Sequence, residues 1–368
     1  MKYVRMPIEI ESPEQMGYDN VKFNLAESSV SDAIYKNLNL NLNELLLCYG
    51  HHLGKPELRE LISKEYKNIS VDDVLLTASA ASALFIVATS LLSEKDHLIV
   101  VRPNYATNIE TPRAIGSEIS FVDLNFENKF ALDPQKIKAL IKPNTKYISI
   151  TQPHNPTGTM LSEDVLKEII KIAEQHNCFL LVDETYRDLS LKNKNPLAAT
   201  LSDKVISVSS VSKAYGLPGI RIGWIITKNK TLQELFLAAK EQIFICNSVV
   251  DEEIAYQFLL KKETHFAPIK KQIEENFIVL KNWMLNNKHI EWVEPSGGVV
   301  CFPRIKPEIK IDLKRFYETL NGKYKTFPGP GHWFEMNDRY MRIGFGWPRK
   351  QELENGLHNI TRSIEDVL

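Results

Sequence analysis

The chain has 368 residues, 43% of them hydrophobic and 25% charged, with 45 Lys and Arg against 46 Asp and Glu for a net charge of -1. That length exceeds one typical domain, and the composition suits an ordinary globular surface over an ample core. The even charge balance, without a basic block or acidic tail, argues against nucleic acid as the main partner.

No apolar run reaches the ~20 residues that a membrane span needs, and the N-terminus lacks a signal-peptide core. No membrane partner and a cytoplasmic location are therefore expected. The four cysteines, Cys48, Cys178, Cys246 and Cys301, are scattered without metal-ligand or CxxC spacing and read as buried reduced thiols, with no metal site.

Residues 1–45 are polar, rich in Asn and Ser, and weakly periodic, which describes an arm. Pro56 opens a helix over Glu57–Tyr66, in the first turn where its missing N–H does no harm. Strands are then expected at Val74–Thr77, His97–Arg102, Glu118–Asp123, Lys146–Thr151, Cys178–Asp183, Lys204–Ser209 and Ile222–Thr227. Helices are expected at Ala80–Leu92, Ser162–His176 and Leu232–Phe244. Short apolar strands alternating with helices predict an α/β fold with a mostly parallel sheet covered on both faces. A long helical stretch from about Asp251 to Asn287 leads to a smaller α+β part. The expected division is an arm at 1–45 joining the small domain, a large domain at 46–265 and the small domain at 266–368.

Polar segments recur where the strands end, the position at which such sheets bind ligands. Lys213 lies in a run from Ser210 to Gly223 that holds small hydroxyls, glycines and Arg221. Hydroxyls and a guanidinium can hold a phosphate dianion, and a lysine amine can react with an aldehyde. The step from Thr77 into the next helix offers the amides of Ala80 and Ala81 to a phosphate. Asp183 ends a strand three residues before Tyr186; alone it is equally a turn or N-cap aspartate. Asn155 sits in Asn-Pro-Thr-Gly, which alone is a tight loop. Tyr105 follows another strand, as an ordinary rim tyrosine also does.

Together, and in this order, these segments resemble the class I/II aminotransferases, which are pyridoxal 5′-phosphate (PLP) enzymes of fold type I. The resemblance runs from Tyr49 to Phe345. It implies a PLP-transferase fold with a seven-stranded sheet, a PLP cofactor, amino acid and 2-oxo acid substrates, and a homodimer with shared sites. It also implies roles. Lys213 carries the cofactor and moves the Cα proton, Asp183 pairs with the pyridine nitrogen, and Tyr186 and Asn155 bond the phenolic oxygen. Tyr105 stacks on the ring, while Ser210, Arg221, Ala80 and Ala81 hold the phosphate. Tyr49 reaches the phosphate of the neighbouring subunit, and Arg342, in Arg-x-x-Phe, clamps the substrate carboxylate beside Asn155.

One position departs from the family, which usually has glycine where Ser79 stands. In the arm, Glu27 is a candidate to face a basic substrate side chain, and this region has a short likeness to PLP enzymes that cyclise or hydroxylate arginine. His51 and His52 are adjacent and make a poor metal pair; His154 lines the asparagine loop. The same residues also serve β-elimination, cyclisation or hydroxylation, and fold does not fix function. A non-catalytic ligand-sensing module is the more distant alternative.

Overall fold

The computed structural model describes residues 1–190 and 194–368. Its centre is a seven-stranded sheet built from β1 (Val74–Thr77), β2 (His97–Arg102), β3 (Glu118–Asp123), β4 (Thr145–Thr151), β5 (Phe179–Asp183), β6 (Val205–Ser210) and β7 (Gly223–Ile226). The order across the sheet is β1-β7-β6-β5-β4-β2-β3, all parallel except β7, which runs antiparallel to β1 and β6.

The apolar runs of these strands reflect burial on both faces. Side chains alternate along a strand, so Ile99 and Val101 join one core while Leu98 and Val100 join the other. Helix Glu163–Gln175 covers the first face with Leu166, Ile169, Ile170 and Ala173. Helix Ala80–Leu91 covers the second with Ala83, Leu84 and Val87, beside Leu232 and Phe236 of helix Lys230–Phe244.

The expected strands all form, with ends shifted by one residue at β4, β5 and β6 and by one at each end of β7. The stretch expected as one long helix is two, Val249–Leu260 and Lys262–Asn286, broken at Lys261 where φ is -110° and ψ 25°. Helices Thr107–Ile115 and Pro134–Leu140 also form. The first carries Pro112 in its interior and has no clean apolar stripe, which hides it from periodicity. Cys178 and Cys301 are buried free thiols as expected, whereas Cys48 is exposed.

Beyond the long helices, Val300–Cys301, Gly329–Pro330 and Met341–Gly344 form an antiparallel sheet. Helix Lys350–Glu365 lies against Lys262–Asn286, where Trp283 Nε1 donates to Thr361 Oγ1 at 3.0 Å. The arm belongs to this layer. Phe23–Asn24 pairs in parallel with Thr326–Phe327, and Gly344 N donates to Leu25 O at 2.8 Å. A Cβ on Gly344 would stand 1.7 Å from Glu27 O, so only glycine lets the arm cross this strand.

The arm also departs from a featureless reading. It holds two short helices, Pro7–Glu11 and Pro13–Met16, each opened by proline. They have too few residues for a periodic stripe, yet they wall the cavity described next.

Candidate active site

A cavity of about 600 Å³ opens at the carboxyl ends of β1, β5 and β6, closed over by the arm and by Arg342. The structure brings Glu27, Ala80, Ala81, Tyr105, Asn155, Asp183, Tyr186, Ser210, Lys213, Arg221 and Arg342 to its wall. Of the expected site residues, Tyr49 alone stays outside. It is 83% exposed in the single chain, on the loop before helix Pro56–Lys64.

One end of the cavity gathers groups suited to an anion. Ser79 takes an extended backbone, with φ 170°, which any residue adopts. Serine for glycine therefore costs no strain here, and the side chain gains a function. Its Oγ caps the helix by accepting from Ser82 N at 3.0 Å, and its carbonyl accepts from Ala83 N. The two preceding amides, of Ala80 and Ala81, have no intrahelical partner and sit at the positive end of the helix dipole. Gly223 packs directly beneath them, where a Cβ would lie 2.4 Å from Ser79 C and 2.6 Å from Ala80 N. Ser210 ends β6 and caps the short helix Val211–Ala214, accepting from Ser212 N at 3.3 Å. Arg221 is in the left-handed region, with φ 39°, held by Nη1 donating to Pro218 O at 2.6 Å.

Lys213 projects from that short helix, half-buried. Its Nζ donates to Glu27 Oε1 at 3.1 Å, and the same oxygen accepts from Ser28 N at 2.9 Å. Burial pulls the lysine down, but the Glu27 carboxylate outweighs it and holds the amine above its ordinary value. For Glu27, burial raises the carboxyl, and the Lys213 charge and hydrogen bond overcome this to bring it down to about 2. Glu27 thus meets the lysine in this structure.

Asp183 lies buried at the end of β5, its Oδ1 accepting from Thr185 Oγ1 at 2.6 Å and Thr185 N at 3.1 Å. Burial raises its carboxyl despite those bonds, and among the described residues it has no ion-pair partner. A cationic donor would complete such a group. Tyr186 beside it is also buried, and burial holds its phenol above the usual value.

Arg342, on strand Met341–Gly344, is only 5% exposed. Its Nη1 donates to Asn155 Oδ1 at 3.2 Å and its Nη2 to Ala26 O at 2.7 Å, while Nε has no partner among the described residues. A buried guanidinium with an open donor and no paired carboxylate is suited to a ligand carboxylate.

The remaining histidines do local work. His154 is buried, Nδ1 lies 2.7 Å from Thr157 Oγ1, and burial lowers it to about 4. His51 Nδ1 accepts from Leu53 N, and His52 pairs with Glu241. Sequence reasoning missed Glu9, Ser12, Glu14, Tyr18 and Asp32, all on the cavity wall. The prolines at 7 and 13 were the available signal that this polar arm is structured.

A family model described as aminotransferase class I and II matches residues 19–360. The chain belongs to this family. It is 27% identical over 329 residues to an aspartate aminotransferase of Pyrococcus horikoshii, covering 86% of this chain and 83% of that protein. It is 28% identical over 326 residues to a capreomycidine synthase of Streptomyces vinaceus, covering 88% and 82%. A solved PLP-dependent aminotransferase from Streptococcus suis superposes with a TM-score of 0.92 at 27% identity, over 100% of this chain and 99% of that one. The fold is PLP fold type I, and the cofactor is pyridoxal 5′-phosphate.

Proposed function

We propose that this family member is an aminotransferase, moving an amino group between an L-amino acid and a 2-oxo acid. The observation that carries the reading is a single cavity holding an amine, a buried lone carboxylate and a buried guanidinium with a free donor. These are Lys213, Asp183 and Arg342. The groups present fit the cofactor. The amides of Ala80 and Ala81 with Ser210 and Arg221 would hold its phosphate. Asp183 would pair with its ring nitrogen, Tyr186 and Asn155 would bond its phenolic oxygen, and Tyr105 would pack on its face.

When bound, PLP supplies an electron sink for the electrons left at the substrate Cα. The protein supplies position and proton handling. Arg342, oriented by Asn155, would fix the substrate carboxylate and so the direction of the Cα–H bond. Lys213 Nζ would take the Cα proton and must be neutral to do so, which requires its separation from Glu27. The arm, laid over the cavity, limits access of water.

The same reading includes a homodimer, in which Tyr49 is exposed because its site lies on the neighbour. It includes the division at 45 and 265 and a cytoplasmic location. A second fate for the Cα electrons, elimination or cyclisation, is favoured by the likeness to capreomycidine synthase, whose name describes no amino transfer. Half-transamination separates the two. Stoichiometric pyridoxamine phosphate with a 2-oxo acid supports the first reading, and amino acid consumption without it supports the second. A folded, PLP-loaded chain that changes its absorbance with no amino acid would sink both.

A further inference from the structure

The arm gives the cavity a wall of carboxylates. Glu9, Glu14, Glu27 and Asp32 all line it, and none of the lining cations comes from the arm. Among the described residues, Glu9 and Glu14 have no ion pair, and Asp32 has only a hydrogen bond from Trp347 Nε1 at 2.9 Å. The site's own cations are already assigned in the aminotransferase reading: Arg221 to the phosphate, Arg342 to the substrate carboxylate and Lys213 to the cofactor. Once Lys213 is engaged by the cofactor, Glu27 too is left without a cation. The wall then carries four acidic side chains, none of them in an ion pair among the described residues.

A cluster of acids at a protein surface is common, but a second observation points to a ligand here. Ser12, between Glu9 and Glu14 in sequence, is only 5% exposed and lines the same cavity, with its hydroxyl unpartnered among the described residues. A buried hydroxyl without a partner is costly unless a bound group completes it. Tyr18 stands at the same mouth, its ring stacked on Trp347 at 6.5 Å between centroids and 14° between planes. Glu14, Glu27 and Asp32 line the same cavity as Tyr18, whose phenol is pushed up to about 12, first by burial and then by these three carboxylates. Glu9 and Asp32 are likewise raised, first by burial and then, with Trp347 opposing at Asp32, by neighbouring carboxylates. Mutual repulsion of this kind is relieved by a cation, and the Tyr18 ring offers it a π face as well.

We propose that the substrate is a 2-amino acid whose side chain ends in a cation, an ammonium or a guanidinium, received by Glu14, Asp32 and Glu27 beside Ser12 and Tyr18. The proposal rests on the reading above for the assignment of Lys213 and Arg221 to the cofactor and of the substrate's carboxylate to Arg342. From there the side chain extends toward the arm, and its terminal charge meets the acidic wall.

The PLP-loaded enzyme is titrated with L-arginine, L-lysine, L-norleucine and L-aspartate, read by the cofactor's absorbance and by calorimetry. Norleucine matches the lysine stem without its charge. The expected result is that at least one basic amino acid binds about tenfold or more tighter than norleucine, the size of one charge-assisted hydrogen bond. A lysine preference marks an ammonium, and an arginine preference a guanidinium. In Glu14→Gln and in Asp32→Asn the basic-to-norleucine affinity ratio falls severalfold. Norleucine or aspartate binding as tightly as both basic amino acids overturns the proposal, as does a ratio that both variants leave unaltered. Tight basic binding without pyridoxamine phosphate supports this substrate class while refuting transamination; pyridoxamine phosphate formed with neutral amino acids alone does the reverse.

Discussion

Gly223→Ala tests whether the proposed anion cradle is built from backbone that cannot move. Gly223 is hydrogen-bonded into the sheet on both sides, opposite Thr77 of β1 and Ser210 of β6. An added Cβ would come within 2.4 Å of Ser79 C, 2.6 Å of Ala80 N and 2.7 Å of Ser79 O, all backbone atoms. Ordinary contact begins near 3.4 Å, so the turn must retreat by about 1 Å or the strand must buckle. Overpacking of this kind costs about 1–3 kcal/mol. A retreat of the turn would also displace the Ala80 and Ala81 amides from the phosphate they are proposed to hold, and one charged hydrogen bond is worth about 1.5–3 kcal/mol. PLP affinity is therefore expected to fall by about tenfold or more, since 1.4 kcal/mol is a factor of ten. Thermal melting of the cofactor-free chain reads the first effect, and fluorescence titration with PLP reads the second. A variant that melts lower but binds PLP as tightly as the parent would refute the link between Gly223 and the cradle.

Other consequences are direct. Asp183→Asn removes the carboxylate proposed to pair with the ring nitrogen, and the expected outcome is slowed Cα proton removal with a cofactor that still binds, measured by single-turnover absorbance. Arg342→Lys loses the bidentate fork, and KM for the amino acid is expected to rise by about tenfold or more. Glu27 lies at about 2 against an ordinary 4.5, so its pairing with Lys213 stabilises the cofactor-free fold fully above 4.5 and is lost as pH falls toward 2. Glu27→Gln should flatten that acid limb in melting curves. His332 is raised to about 9 by its hydrogen bond to Asp338, with burial opposing and Glu11 adding. Its stabilisation is complete below 6.5 and fades as pH rises through 9, and His332→Gln should remove that alkaline loss.

The sheet was legible because most of its strands bury both faces and so read as short unbroken apolar runs, such as Leu180 to Val182 or Leu98 to Val101, although the edge strand β3 is fully buried only at Val122. The site residues were legible because they are tied to strand ends: Asp183 closes β5, Ser210 closes β6, and Lys213 follows within a turn. Arg342 was legible by resemblance; its partnership with Asn155, across 187 positions, is a property of the fold alone. Tyr49 was placed at a phosphate by the same resemblance, and in the single chain it faces outward.

What sequence could not give was the arm's internal structure and its course over the cavity. Its helices span five and four residues, too few for a hydrophobic period, and its docking rests on backbone pairing at Phe23–Asn24 and on the clearance at Gly344. Those contacts leave almost no trace in residue type. At position 79 the sequence departs from the family's usual glycine, and the backbone there is extended, so the serine fits without strain and its hydroxyl becomes the helix cap.

Amino transfer at Lys213 is tested most directly by one half-reaction. PLP-loaded enzyme is mixed with amino acid in the absence of any 2-oxo acid, and the products are counted by mass spectrometry. The account predicts pyridoxamine phosphate and a 2-oxo acid in equal amounts, one of each per active site, and neither in Lys213→Ala. Amino acid consumed over many turnovers with no pyridoxamine phosphate, or the same yield from Lys213→Ala, would contradict it.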